Sequence, residues 1–590
     1  MSSNLNQFNY FDGSTQIYII AASIVTPLSL LIIFKNFKRY RKTHEIYSLL
    51  STICLIILNF NVWVFLIWSL HQNQGRLNKT PLHKDILHQK FNQINIPGFS
   101  FLNFQNKLPL TSNGNNDGSN DEELEEKFTC SSIQVDNQVP IEVGELIDLN
   151  KKEDLKMIRD QIKELLPTEK AYKLFFQDDK HQSEEEILKN KWFKFCGSAV
   201  WMSKYQVYFM VNRIIYTKDS RKNSPTISIL HGQVFDKSWK ELKNYKFPIS
   251  DLVFPTVLPH EIDLGKRSKK EVIGSEDPRV ILKEYIKNEE LFQEPVIVFN
   301  ARSTEINWAR AMHTYQPFTN AKKITRLTIK NKKISFREKN WAPFFDRDAD
   351  DSNGKFMNFI YNFNPLRIIK CDLSNGDCNR ITGPPFNSIS VNDNAGKLRG
   401  GTNIIEIPHD YLPSNNITGS RKFWIGIGRS HINDCGCVQE LYRPHIFLMS
   451  RMAANEKSFQ LDYVSSLIDF NINPEPWYEK NAEKSVGTCQ DGKSVLIPNS
   501  ISYWEFNEKE NIDYMGITFS EADRTNKLIH IKGILRYIHA LFKDSSDIAI
   551  TTNDGENENY EKDEKSKLLG SCSTYLSNDY CEKAKELLNW

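Results

Sequence analysis

From Phe195 to about Ile534 the chain is a train of short apolar runs, alternating or continuous, each cut off by turn residues. Tyr205 to Thr217, Thr226 to Leu230, Pro295 to Asn300, Ile324 to Ile329, Phe359 to Phe363, Asn403 to Ile407, Lys422 to Gly428, His445 to Met449, Met515 to Phe519 and Leu528 to Ile531 are examples. Runs of this length between turn signals form strands, so the region is mainly β. The strands fall into about five clusters rather than one sandwich. Each cluster opens on a polar, often charged motif and continues with paired strands, as expected of a propeller whose inner edges line one central pocket.

At 590 residues the chain exceeds the prior of about 150 residues per domain, although propellers and barrels break that prior. Its net charge is +2 with the basic residues spread out, which excludes a nucleic-acid surface. Two apolar segments, Ile17 to Phe34 and Ile46 to Leu70, each approach the ~20 residues that cross a bilayer. The second ends in Trp63 and Trp68, a residue type favoured at membrane interfaces. Lys35, Lys38, Arg39, Arg41 and Lys42 lie between the segments and belong in the cytosol by the positive-inside rule, so everything after Leu70 is lumenal whether one segment spans or both do.

These features divide the chain into a membrane anchor (1–70), a polar stem (71–128), a helical lead-in (129–194), a β domain (195–533) and a C-terminal helical segment packed on it (534–590). In the lead-in, Leu155, Ile158, Ile162, Leu165 and Leu166 recur at helical spacing until Pro167. Nine of the ten cysteines follow the anchor and fit an oxidising compartment. The Cys371–Cys378 and Cys572–Cys581 spacings suit local staples, whereas Cys435-Gly-Cys437 is too tight to pair with itself, and at least one lumenal cysteine stays free or pairs between chains. Asn78 and Asn416 stand in glycosylation sequons.

The most specific chemistry is in Gly274-Ser-Glu-Asp-Pro-Arg279. Pro278 biases Asp277 towards extended backbone, and Gly274 allows close approach to a ligand. On a regular strand Asp277 and Arg279 share a face, with the guanidinium holding the carboxylate ionised, and Glu276 faces the other way. The plainer alternative is a turn with a surface ion pair. Asp346-Arg-Asp348-Ala-Asp350-Asp351 offers hard oxygen ligands for a divalent metal, or is an acidic turn. His313 reads as a core histidine and Trp341 as a packing residue, with stacking on a sugar its alternative.

Across roughly residues 130 to 590 the chain resembles the fungal β-mannosyltransferases of Candida-type yeasts. The motifs that carry the resemblance are Gly274-Ser-Glu-Asp-Pro-Arg279, Glu338-Lys-Asn-Trp-Ala-Pro-Phe344, Leu398-Arg-Gly-Gly-Thr-Asn403, Gly428-Arg-Ser-His431, and Ile497-Pro-Asn-Ser-Ile-Ser through Phe519-Ser-Glu-Ala-Asp-Arg524. Several of them also resemble the β-mannoside phosphorylases, five-bladed propellers whose Glu-Asp-Pro-Arg aspartate transfers the proton. The resemblance implies a five-bladed propeller, preceded by an N-terminal transmembrane helix or hairpin. It also implies a Golgi enzyme that moves mannose from GDP-mannose, with inversion, onto mannan or mannoside acceptors in β-1,2 linkage.

By the same resemblance Asp277 is the catalytic base. Arg213 matches an arginine ending a first-blade strand, Lys339 and Asn340 the start of a third blade, His431 a fourth-blade histidine and Asp523 a fifth-blade aspartate. Ser-His-Ile stands here where the phosphorylases have Tyr-His-Gly. Arg213, Arg279, Lys339, Arg399 and Arg429 are candidates to offset the charge of the departing diphosphate. Glu276, Asp523 and His431, with Asn340, Thr402 and Glu521, are the sugar-binding candidates. No cofactor is implied beyond the donor and the possible metal at the Asp346 run. The alternatives are a mannoside phosphorylase or hydrolase, and a mannan-binding protein without catalysis.

Overall fold

The computed structural model describes residues 35, 38, 89–102, 129–135, 139–165, 172–176, 182–258, 272–319, 323–333, 335, 337–347, 353–386, 398–414, 416–433, 440–475, 495–507, 510–542 and 556–588. The chain divides into two compact units, Met1–Pro81 and Leu82–Trp590. Both apolar segments, Asn78, Cys435, Cys437 and Cys489 lie outside the described residues. No helix among the described residues is long and apolar enough to cross a membrane.

The second unit is mainly β, and its strands group into five antiparallel sets. The first comprises β1 (Trp192–Met202), β2 (Val207–Tyr216) and β3 (Ile227–Phe235). The second comprises β4 (Ile273–Lys287), β5 (Glu290–Arg302), β6 (Arg310–Tyr315) and β7 (Ile324–Arg326). The third holds β8 (Ala342–Phe344), β9 (Phe356–Phe363), β10 (Leu366–Asp372) and β11 (Asp377–Thr382). The fourth holds β12 (Ile405–Ile407), β13 (Arg421–Asn433), β14 (Glu440–Met452) and β15 (Gln460–Ser465). The fifth holds β16 (Leu496–Asn507), β17 (Ile512–Glu521) and β18 (Thr525–Lys532). All ten sequence-predicted runs contain strand.

Strand alternation makes this a set of stacked layers, because successive side chains serve opposite faces. In β2, Phe209 and Val211 pack with Val280 and Ile297 of the second set, while Tyr208 and Met210 pack with Tyr503 and Leu528 of the fifth. Val296 and Val298 meet Met357 and Phe359 of the third set. Phe344 and Ile360 meet Trp424 and Phe447 of the fourth, and Ile425 and Ile427 meet Ile501 and Ile517 of the fifth.

The polar openings of the sets are tied to one another. Val280 N donates to Ser198 Oγ at 2.9 Å, and Ser198 Oγ donates to Asn499 O at 3.3 Å. Asn403 receives Ile501 N at 2.9 Å and donates back to Ile501 O at 3.2 Å, and Ile404 N donates to Pro343 O at 3.0 Å. These bonds satisfy backbone groups that would otherwise be buried unpaired.

Two sequence readings change. Residues Asn92–Ile94 and Gly98–Ser100, read as polar stem, are strands of the folded unit. The first pairs with Ile141–Val143, which pairs in turn with β18, and the second pairs with β15 and with Gln134–Val135. The 129–194 segment is accordingly part strand and part helix, the latter including the expected helix Asp154–Leu165. Stem and lead-in look polar because these strands are only two or three residues long and take their stability from longer partners. The predicted Cys572–Cys581 staple is also overturned: Cys572 bonds Cys130, 442 positions away, and Cys581 is in a disulfide as well. Both lie in the helix Glu556–Leu588, where nine residues of regular helix hold them apart. Cys371–Cys378 forms as expected, across paired positions of β10 and β11.

The Cys130–Cys572 bridge closes a very long loop and fastens the C-terminal helix. Replacing both cysteines by serine should cost about 2–4 kcal/mol, read as a lower midpoint in urea unfolding. An unchanged midpoint would mean that packing alone holds that helix.

Candidate active site

The site begins where β4 leaves β3. Ile273 and Gly274 pair in parallel with Ile227 and Ser228, joining the first two sets into one sheet. Gly274 has φ +99°, and a Cβ there would lie 2.0 Å from Ser228 O. The close approach expected of this glycine is therefore to its neighbouring strand and not to a ligand.

Two residues on, the ladder breaks. A bulge separates Glu276 from Arg279, Pro278 has no N–H to give, and Asp277 takes a left-handed φ of 52°. Asp277 is thus not extended, and the expected alternation of Glu276, Asp277 and Arg279 fails. Instead Glu276 and Asp277 both turn to Arg213 of β2, which donates from Nη2 to Glu276 Oε2 at 3.0 Å and from Nη1 to Asp277 Oδ1 at 2.9 Å. Arg213 Nε is anchored on Ser228 Oγ at 3.0 Å. A second cation, Arg310, reaches the other oxygen of Glu276 at 2.7 Å. Arg279, the expected partner of Asp277, gives its Nε to Gly401 O and its Nη1 to Pro278 O.

Asp277 keeps 30% of its side-chain exposure, whereas Arg213 and Glu276 keep 10% each. Burial works against its charge, but Arg213 first and then Lys339, Arg279 and Arg429 outweigh burial and hold the carboxyl well below the usual range. It lines a small recess together with Asn300, Asn340, Trp341, Gly400 and Gly401 among others. Asp277 is therefore an ionised acceptor at the wall of a small recess.

Asp523 stands in the Glu521–Arg524 turn, where Ala522 and Asp523 both have positive φ and Lys222 holds Ala522 O at 2.7 Å. Burial raises its pKa, Arg213 opposes the rise and Asp277 adds to it, leaving it at about 6. Asn340, at φ 65°, accepts from Arg429 Nη2 at 2.8 Å, and Arg429 Nη1 donates to Gly400 O at 2.8 Å. Lys339 is exposed beside them. The glycine pair is a close-approach device: a Cβ on Gly400 would lie 2.5 Å from Asn340 O, and one on Gly401 2.3 Å from Ile427 O.

Other expected ligands are held by the fold. Thr402 is buried, its Oγ1 accepting from Ile427 N at 3.0 Å. Glu521 is buried and accepts from Glu475 N at 2.8 Å and from Thr525 Oγ1 at 3.2 Å. Arg399 pairs with Arg429 through its backbone, and His431 stacks on Tyr442 at 4.6 Å. None of these four is among the residues lining the recess. Asp346 is gripped by Arg451 at 2.6 and 2.9 Å, with Lys422 at 3.5 Å, and Asp348, Asp350 and Asp351 lie outside the described residues. Among the described residues no group of three acidic, histidine or cysteine side chains could hold a metal. His313 is a core residue stacked on Phe299. Trp341 is 3% exposed and packs, its indole N–H donating to Glu338 at 3.3 Å.

Sequence reasoning missed Asn300, Arg310 and Cys196. Asn300 is opposite Glu276 in the ladder and donates to Glu276 O at 3.2 Å and to Asp277 Oδ2 at 3.5 Å. Cys196, at φ 53° in a bulge of β1, places Sγ 3.8 Å from Asp277 Oδ1, and burial, then Asp277, pushes its thiol up to about 12. Only the register could have revealed these three.

A family model described as Beta-mannosyltransferases matches residues 129–318 and 311–580. Beta-mannosyltransferase 3 of Candida albicans is 45% identical over 98% of this chain and 99% of its own. Beta-mannosyltransferase 3 of Komagataella phaffii is 31% identical over 73% of this chain and 70% of its own. A solved chain of the GH130 family of mannoside phosphorylases covers 58% of this chain and 84% of its own, at 13% identity and a TM-score of 0.32, too distant to bear on the fold. The chain belongs to the β-mannosyltransferase family.

Arg213 neutralises two adjacent carboxylates, one buried and one partly exposed. Arg213→Ala should destabilise the protein by about 3 kcal/mol, because Asp277 loses its direct ionic partner and Glu276 keeps only Arg310. Urea unfolding measures this, and a loss below about 1 kcal/mol would show that Arg310 and the neighbouring cations suffice.

Proposed function

We propose that this protein is a β-1,2-mannosyltransferase that moves mannose from GDP-mannose, with inversion, onto mannan-type acceptors. The observation that carries the reading is Asp277: an ionised carboxylate, oriented by Arg213 and Asn300, at the wall of a recess lined by Asn340 and the Gly400–Gly401 pair. An inverting transfer needs one base for the acceptor hydroxyl, and Asp277 Oδ2, the oxygen not bonded to Arg213, is placed to take that proton. Orientation supplies much of the acceleration. Its low pKa makes it a modest base, so the transfer occurs late, as the hydroxyl becomes acidic on bonding to the sugar. Asp523 is the accompanying sugar-hydroxyl acceptor, and Lys339 and Arg429 set the positive field around the leaving diphosphate.

The same reading makes the five strand sets the blades of a propeller with the recess at their inner edges. What supports it is the sequence of shared cores, first with second through to fifth with first, and the bonds linking the polar openings of the sets. The lumenal, Golgi location is part of the proposal, supported by the basic residues between the two apolar segments and by disulfides fit for an oxidising compartment.

The test is to incubate the protein with a mannan oligosaccharide and either GDP-mannose or phosphate, and to identify the products. Elongated β-linked glycan is expected. Mannose 1-phosphate or free mannose would replace this reading with phosphorolysis or hydrolysis, and no turnover with binding alone.

Asp277→Asn should lower transfer by on the order of 10²- to 10⁴-fold in a protein that still folds, and retained activity would remove the base assignment. Asp523 is protonated below about pH 6 and ionised above it, so kcat/KM should rise with pH through about 6. That acid limb should vanish in Asp523→Asn, and its persistence there would assign the titration to another group.

A further inference from the structure

Beside the Asp277 recess lies a larger, mostly apolar one whose charged lining residues are four basic and one acidic. Arg310, Arg326, Lys332 and Lys333 face it, and Glu338 is the one acid in its lining. Glu338 is already committed to Lys332, to the Trp341 indole N–H and to Tyr361 Oη. Among the described residues Arg326 has one ion pair, with Glu305, which is 76% exposed, and an exposed pair of this kind yields readily to a better anion. Lys333 is exposed and has no ion pair among the described residues. Arg310 binds Glu276 through Nη2, while its buried Nε has no hydrogen-bond partner among the described residues.

The two recesses share a wall and a strand. Trp341 lines both. Arg310 lines the basic recess and Met312, two residues along β6 and on the same face, lines the Asp277 recess, a separation of about 7 Å. The arginines of the first recess offer little for such a phosphate: the forks of Arg213, Arg279 and Arg429 are on carboxylates, backbone carbonyls and Asn340.

We propose that the basic recess behind Trp341 binds a phosphoryl group of a substrate whose sugar occupies the Asp277 recess. A diphosphate leaving group and a phosphate on the acceptor glycan share this chemistry. The assignment of the sugar position rests on the transferase reading; the anion site itself does not.

The test is calorimetric titration of the full chain and its Arg326→Gln/Lys333→Gln variant with GDP and, separately, with mannose 6-phosphate, alongside mannosyl transfer by the wild type. The variant should bind one of the two anions at least tenfold more weakly at an unchanged melting temperature. Loss for GDP identifies the donor diphosphate, and loss for mannose 6-phosphate identifies a phosphorylated acceptor. Equal affinities in the two proteins, or no binding of either anion to the wild type, overturn the site. A wild type that binds anions through these residues yet transfers no mannose leaves the site standing and removes the transferase reading instead.

Discussion

Two neighbouring carboxylates, a buried Glu276 and a partly exposed Asp277, are packed side by side, and one planar cation makes that tolerable. Like charges so close, and largely buried, would drive at least one group to protonate. The fork of Arg213 spans both while its Nε rests on Ser228. A lysine offers a point charge on a flexible stem and could not bond three oxygens in one plane. The arrangement needs three strands in fixed register: β2 for the arginine, β3 for the serine and β4 for the acids. Gly274, by admitting Ser228 O to within contact, sets that register.

Much of the scaffold was legible in the residues, because strand periodicity and turn residues are local signals. The helix at Asp154–Leu165 and that at Ile534–Leu541 were legible for the same reason. The acid motif was legible as chemistry but not as geometry. A period-two reading assumes an unbroken ladder, and the bulge at Pro278 reversed it, turning Glu276 inward and handing Arg279 to a backbone carbonyl. Glu521 and Thr402 sit in the right motifs yet have structural partners, which no motif discloses. Asn300, Arg310 and Cys196 come to the site through pairings between distant strands, so nothing local marks them.

The positive charges illustrate why counting cations near a pocket misleads. Arg279 and Arg429 lie at the site, yet Arg279 bonds the carbonyls of Gly401 and Pro278, and Arg429 bonds Gly400 O and the Asn340 side chain. They stiffen the rim and shape the field felt by Asp277, while Arg326 and Lys333, which the motifs passed over, keep donors available.

The short strands Asn92–Ile94 and Ile141–Val143 find their sheet only against Ile531 and Lys532, and Tyr537 Oη donates to Ile96 O across 441 positions. In a polypeptide emerging from its amino end, these two strands can pair with each other, but the pair's edge that meets Ile531 and Lys532 stays open until nearly all of the chain has been made. Through that interval it is an open template for a neighbouring nascent chain. Yield of the folded enzyme is then governed less by its final stability than by whatever shields that edge during synthesis.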